Sequence, residues 1–205
     1  MKRLISIVAA LCLCTTFALA DDDEGDFYDD GYVYEQNGAG DRFLKINLMA
    51  NFPVNFVKFD THTQTYTQQL YVGGAVDVGY YQFLTSQFAV GGEVLVGYNV
   101  TIGRESLVIA PITFGAMFQP VIGNFEFPIT AGIGITTTSC YGETYFPGFA
   151  AKISAGAFYR LTEMWSLGLY GTAFWLPQWF VTHPQEHTQL DKFFATAGIG
   201  ARYHF

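Results

Sequence analysis

The chain has 205 residues and a formal net charge of −8; half of its residues are hydrophobic and only 14% are charged. Without residues 1–20, which include Lys2 and Arg3, eight basic side chains face eighteen acidic ones, a formal charge of −10. That balance argues against nucleic acid as a partner, because phosphate binding needs clustered basic charge.

The chain starts with Lys2 and Arg3, an apolar stretch from Leu4 to Cys14, and Ala18-Leu19-Ala20 before a sharp change to Asp21. This layout predicts a secretory signal peptide over residues 1–20, with an apolar run too short to span a bilayer as a helix. Cys12 and Cys14 fall inside it, and neither follows a small residue as a lipid-anchor site requires. Cys140 is then the last cysteine, so no intrachain disulfide is expected, and it reads as a passive loop thiol. Residues 21–40, DDDEGDFYDDGYVYEQNGAG, form an acidic, aliphatic-poor unit expected to be a solvated, flexible tail. Its carboxylates lack the spacing of a twelve-residue calcium loop.

Beyond residue 20 no apolar stretch reaches 18 residues; the longest, Leu107 to Phe118, contains Pro111. High apolar content without a long run points to strands whose apolar residues alternate. Eight such segments follow Arg42. In the first, Leu44, Ile46, Leu48, Ala50, Phe52, Val54 and Phe56 share one face, and Lys45, Asn47, Met49, Asn51, Pro53 and Asn55 the other. The second sends Leu70, Val72, Val76, Val78 and Tyr80 outward and Tyr71, Gly73, Ala75, Asp77 and Gly79 inward. The third has Phe88, Val90, Val94, Val96 and Tyr98 outward, with Gly91, Glu93, Gly97 and Asn99 inward. The fourth runs from Leu107 to Phe118, the fifth from Phe125 to Thr137, the sixth from Phe149 to Arg160 and the seventh from Trp165 to Leu176. The eighth ends the chain, alternating Phe193, Ala195, Ala197, Ile199, Ala201, Tyr203 and Phe205 against Lys192, Phe194, Thr196, Gly198, Gly200, Arg202 and His204.

Segments of this length cross a membrane when tilted, and an even count puts both ends of the sheet on one side. The prediction is an all-β, eight-stranded antiparallel up-and-down transmembrane β-barrel over residues 41–205. Gln82–Gln87, Pro120–Asn124 and Leu161–Met164 read as periplasmic turns. Val57–Gln68, Gly103–Ser106, Thr138–Gly148 and Pro177–Gln189 read as outer loops. Tyr80, Phe88, Phe118, Phe127, Tyr159, Trp165 and Tyr203 should form the periplasmic aromatic belt, and Phe56, Phe149 and Trp175 the outer one.

Inward charges in a barrel this narrow must pair. The predicted lumen network is Lys45, Asp77, Glu93, Lys152, Arg160 and Arg202, with Glu126 a looser member. Asp77 and Glu93 are expected to face Arg160, Arg202 or Lys45 across the lumen, as a structural plug or as a polar gate below a ligand cavity. Many inward positions are glycine, which leaves space for a cavity or for Tyr71, Tyr81, Phe158, Tyr170, Phe174 and Phe194. Pro53, Pro111 and Pro128 lie inside strands, where proline cannot donate to the ladder, and mark a possible wall opening.

Enzyme chemistry finds little support. His62 sits in the first outer loop, and His204 at the end of the last strand shows no obvious serine partner. His183 and His187 flank Glu186 but share a loop with Pro184, so no metal site, cofactor or catalytic residue is assigned.

A terminal strand closing on Tyr203 and Phe205 resembles the last strand of bacterial outer-membrane β-barrels. The resemblance implies a cell outer-membrane location, contact with its lipid, and a terminal Phe read by the barrel assembly machinery. A soluble lipocalin-like barrel also has eight strands, but a signal-peptide-like start together with a terminal Phe favours the membrane form. The pattern from about Arg42 to Phe205, with its prolines, resembles the outer membrane protein W and X-like small barrels. It implies a monomer that passes small, hydrophobic molecules, in the W family sideways into the membrane. The alternative is a structural or adhesin-like surface barrel binding a host or surface ligand through Tyr66, Tyr141, Tyr145, Phe146, Trp179 and Phe180. A lipid A-modifying enzyme is a third, lesser reading.

Overall fold

The computed structural model describes residues 37–60, 65–67, 70–140, 143–178 and 188–205. The predicted signal peptide and nearly all of the acidic segment lie outside them. Eight long strands carry the fold: β1 (Arg42–Asp60), β2 (Gly73–Phe83), β3 (Phe88–Val100), β4 (Ser106–Phe118), β5 (Ile129–Cys140), β6 (Glu143–Arg160), β7 (Trp165–Trp175) and β8 (Thr188–His204). Each pairs antiparallel with its sequence neighbour, and β8 returns to β1, so the sheet closes. The Arg42 N–H donates to the Phe205 carbonyl at 3.3 Å and the Phe205 N–H to the Arg42 carbonyl at 3.0 Å, completing the seam.

Alternation decides which face each residue takes. On β1, Leu44, Ile46 and Leu48 are exposed while Lys45, Asn47, Met49 and Asn51 are buried. Val76, Val78, Val94, Val96, Ile112, Phe114, Ile133, Leu169 and Ile199 continue the apolar outer surface. An exposed apolar band of this extent on a closed barrel is the lipid-facing pattern. At the end that carries both barrel termini, ring pairs Phe88–Phe118, Phe125–Tyr159 and Trp165–Tyr203 stand 5.0, 5.0 and 5.1 Å apart. At the opposite end Phe149 meets Trp175 edge-on at 6.1 Å. The side chain of Phe56 lies outside the described residues.

Two turns at the terminal end share one construction. In Leu84–Phe88 and Leu161–Trp165 the threonine hydroxyl accepts the aromatic N–H, each at 3.0 Å, and the leucine N–H bonds the aromatic carbonyl. The third connection differs from the predicted simple turn. Val121–Ile122 and Phe125–Glu126 form a small hairpin around Gly123, whose φ of 59° is the left-handed geometry glycine allows. The predicted fifth strand therefore breaks at Phe127-Pro128: Phe125 and Glu126 still pair with β6, but the β4–β5 ladder begins at Ile129.

At the other end three expectations need correction. The predicted loop Thr138–Gly148 is largely strand, because β5 and β6 stay paired to Cys140 and Glu143. Cys140 is accordingly a buried strand residue. Leu70 turns in toward the core and Tyr71 is exposed, the reverse of the predicted faces, because β2 starts only at Gly73 and alternation does not extend before it.

Candidate functional site

The lumen is filled by side chains in three tiers. In the central tier, Lys45 Nζ lies 3.1 Å from Asp77 Oδ2 and 2.5 Å from Glu93 Oε1. Lys152 reaches Glu93 from the opposite wall, and the Tyr81 hydroxyl donates to the same carboxylate. Lys45 also donates to Tyr170 Oη at 3.0 Å, and that hydroxyl donates to Ser154 Oγ at 2.7 Å. Asn47 Nδ2 donates to Asp77 Oδ2 at 2.9 Å. Gly79 is what lets Lys45 and Glu93 meet: it stands between them in register, and a Cβ there would lie 2.7 Å from Lys45 Cε and 2.8 Å from Glu93 Cγ. Two ammoniums and two carboxylates balance, as buried charge requires.

The lower tier is organised by Glu126. Arg202 Nη1 approaches Glu126 Oε2 at 3.3 Å and donates to Gln119 Oε1 at 2.7 Å. Arg160 Nη1 and His204 Nε2 stand 3.7 and 3.8 Å from Glu126 Oε1. The Arg202 guanidinium lies between the rings of Phe158, 3.8 Å away, and Phe43, 4.9 Å away. Of the partners expected for Asp77 and Glu93, Lys45 is found and the two arginines are not. Asp77 and Glu93 meet Lys45 and Lys152, whereas both arginines converge on Glu126, which the connector after β4 tucks under the barrel. Strand position explains the separation: Arg160 and Arg202 sit at the terminal ends of β6 and β8, below the tier of Asp77 and Glu93. His204 does have a serine partner, Ser166 Oγ at 3.0 Å. Cross-strand register brings them together, since Ser166 pairs with Arg202, two residues away. Ser166 is fully buried, and serine and glutamate approach the same imidazole nitrogen, so this is no nucleophile–base–acid relay.

The upper tier is apolar. Leu95, Leu107, Ile109, Phe174, Leu176 and Phe194 are buried in one cluster with Met49, Cys140 and Ala150. An asparagine pair lies beside its outer part: Asn51 Nδ2 donates to Asn99 Oδ1 at 2.6 Å, and Asn99 Nδ2 to the Tyr71 carbonyl at 2.9 Å. The space opposite inward glycines is taken by neighbours, as at Gly97, where a Cβ would lie 2.9 Å from Ile109 Cγ1. Tyr71 is not among the lumen rings. Tyr145, expected on the surface, packs against this cluster, while Phe146 is exposed. Tyr141, Trp179, Phe180 and the Tyr66 side chain lie outside the described residues.

The three prolines behave differently. Pro53 adjoins a bulge: it pairs with Phe194 while Asn55 pairs with Phe193, so Val54 is the extra residue and Asn55 lands on the outer face instead of the predicted inner one. Pro128 sits in the break before β5, and its carbonyl accepts the Gly156 N–H at 3.0 Å. Pro111 is buried within β4 and pairs with Thr136 on the β5 side. On the β3 side the ladder stops between Val94↔Ile112 and Gly97↔Ile109, then resumes in the same register. The missing bond is the one an N–H at position 111 would give to Leu95.

Phe205 is exposed, its ring 6.1 Å from Tyr80 and 6.0 Å from Tyr203. Among the described residues no group of three or more His, Cys, Asp or Glu could hold a metal ion. His62, His183, Glu186 and His187 lie outside them.

A protein-family model matches residues 21–203, and the chain belongs to that family. The structure is similar to that of Neisserial surface protein A (NspA), with a TM-score of 0.59 and 9% identity over 81% of this chain and 99% of that one. It is likewise similar to the outer membrane protein OprG from Pseudomonas aeruginosa, with a TM-score of 0.54 and 11% identity over 84% of this chain and 99% of that one. This is a small eight-stranded outer-membrane β-barrel, similar to the outer membrane protein W and X type. The barrel's likeness to those structures is one of fold. In sequence it is 29% identical to an uncharacterized protein of Treponema pallidum (strain Nichols), over 84% of this chain and 81% of that protein. The Glu126 tier lies at the end of the barrel that carries both of its termini, and the apolar tier toward the opposite end.

Proposed function

We propose that the barrel admits small hydrophobic molecules from outside into its apolar upper tier and releases them sideways into the bilayer between β3 and β4. The observation that carries this reading is the interrupted ladder at Pro111, placed beside the apolar tier. Leu95 and Ile109, on the two strands flanking the interruption, both belong to that cluster. Within a hydrocarbon slab each backbone group is held by the ladder, and an unmet carbonyl costs several kcal/mol. The Leu95 carbonyl lacks its cross-strand donor because proline has no N–H, so the wall is weakened next to the compartment it would release from. Below, the Lys45–Glu93–Lys152 bridge crosses the lumen, so the axial route meets buried paired charge. Sideways exit avoids breaking it.

The test is a reversible lock. Val96 and Ala110 face each other across the interruption. With Cys140→Ala to remove the other thiol of the mature barrel, Val96→Cys and Ala110→Cys should form a disulfide on oxidation. Entry of a hydrophobic fluorescent probe into proteoliposomes should stop when the pair is oxidised and return on reduction. Unchanged entry through the locked wall would overturn sideways release. Planar-bilayer conductance of the unmodified barrel should be near zero; an open channel through the tiers would favour the axial route instead.

A further inference from the structure

The row of residues that crosses the wall to the Pro111 gap is rich in acceptors and short of donors. Asn47, Asp77 and Leu95 stand opposite one another on β1, β2 and β3. Leu95 then falls opposite Pro111 on β4, between the pairs Val94↔Ile112 and Gly97↔Ile109. The side chains of Asn47, Asp77 and Leu95 are inward and buried. Asp77 Oδ2 is engaged by Lys45 and by Asn47 Nδ2. Asp77 Oδ1 and Asn47 Oδ1 are buried without a hydrogen-bond partner. On the same row the Leu95 carbonyl lacks the donor that proline does not carry. The lipid face offers none either: Val94, Val96 and Ile112 are exposed apolar residues, and Ala110, the smallest beside the gap, is half-buried. Leu95 lies mid-way along β3, at a depth where hydrocarbon supplies no donor. An unmet buried acceptor carries a cost that a donor-bearing guest recovers.

We infer that this row is a recognition site for neutral, hydroxyl-bearing apolar chains, of which long primary alcohols are the simplest. The inference rests on the sideways passage proposed above and names its substrate class. An alcohol brings one O–H donor and an apolar tail. Inside the lumen its hydroxyl can donate to Asp77 Oδ1. In the gap it can donate to the Leu95 carbonyl, standing in for the missing N–H as the strands part. The tail lies first against Leu95 and Ile109, then against Val96 and Ala110, where only burial counts. An ether of the same length gains that burial and leaves the acceptors unmet. A carboxylate brings acceptors and a negative charge, which Asp77 and the carbonyl oxygen both disfavour. Position 111 controls the selectivity, because any other residue there supplies a competing N–H.

Dodecanol and methyl dodecyl ether share one chain and differ in the donor, so they separate recognition from passage. Binding is read in phosphatidylcholine nanodiscs, whose lipids carry no hydrogen-bond donor, from the NMR resonance of the isotope-labelled Leu95 carbonyl carbon. Dodecanol should move this resonance toward the position of a hydrogen-bonded carbonyl, and the ether should leave it in place. In Pro111→Ala it should start near the bonded position and respond to neither compound; Pro111→Val supplies the same N–H if the alanine variant does not fold. Uptake into proteoliposomes should favour dodecanol over the ether by about fivefold, the worth of one hydrogen bond, and Pro111→Ala should bring the two within about twofold of each other. A resonance that dodecanol leaves unmoved, or that the ether moves equally, overturns the site and leaves passage standing. A resonance that responds to dodecanol while neither compound enters the proteoliposomes overturns passage, and with it the role of this row in selecting what passes.

Discussion

The lower and central tiers of the lumen and its upper tier solve the same packing problem with opposite chemistry. Below, Lys45, Lys152, Arg160 and Arg202 are buried against Asp77, Glu93 and Glu126, each cation within 4 Å of a carboxylate. Above, Leu107, Ile109, Phe174, Leu176 and Phe194 bury apolar surface without needing a partner of matching geometry. Ion pairs are specific and unforgiving: removing one member leaves a charge stranded. An apolar layer tolerates rearrangement with modest loss and can accept a guest of similar chemistry. One half of the barrel is suited to staying shut and the other to exchanging its contents.

The sharpest way to break that contrast is at Glu93. Glu93→Ala leaves Lys45 without one of its carboxylates and takes away the one Lys152 contacts, and should cost about 3–5 kcal/mol in urea unfolding from micelles. Adding Lys152→Met to Glu93→Leu should recover much of the loss, since replacing a buried pair with apolar groups is often neutral. A single Ile109→Val in the upper tier should cost only about 0.5–1.5 kcal/mol. Equal losses at Glu93 and Ile109 would erase the distinction between the tiers.

Gly79→Val should follow in size at about 1–3 kcal/mol, because its Cβ meets Lys45 and Glu93 where the ion pair fixes both. Pro111→Ala should act in the other direction. A restored N–H can donate to the Leu95 carbonyl, and unfolding should show a gain of about 0.5–1.5 kcal/mol. The same variant should slow release of hydrophobic probe, which ties the stability of this wall to its permeability. The smallest effect is expected at Phe205→Ala. Its ring is exposed and meets the Tyr80 and Tyr203 rings at the surface, where a substitution usually stays within about 0.5 kcal/mol. If Tyr203 and Phe205 serve as the assembly signal, the variant should refold normally in detergent yet reach the outer membrane of cells poorly. Normal delivery would remove that role.

Legibility followed the range of the interaction. Lys45, Asp77, Glu93, Lys152, Arg160 and Arg202 are all placed inward by alternation along single strands, and all are buried. Apart from Lys45, named among the partners of Asp77 and Glu93, the pairings were not readable, because they depend on which strands face one another across the lumen and at what height. Glu126 shows this best. It lies in a small hairpin rather than in a continuous strand, so periodicity gave it little weight, yet it collects Arg160, Arg202 and His204. Gln119 and Ser166 gave no signal, being ordinary polar residues until register brought Arg202 and His204 beside them.

The sequence by itself determined the number of crossing strands, the face of most residues within the regular strands and the even count that brings both barrel ends together. These follow from the two-residue repeat of an extended chain, a local property. Tertiary structure decided the partners of the buried charges, the bulge that turns Asn55 outward, the break before Ile129, and the difference between Pro53, Pro111 and Pro128. Those outcomes depend on register between strands and on contacts across the lumen, which closing the barrel creates and no single strand encodes.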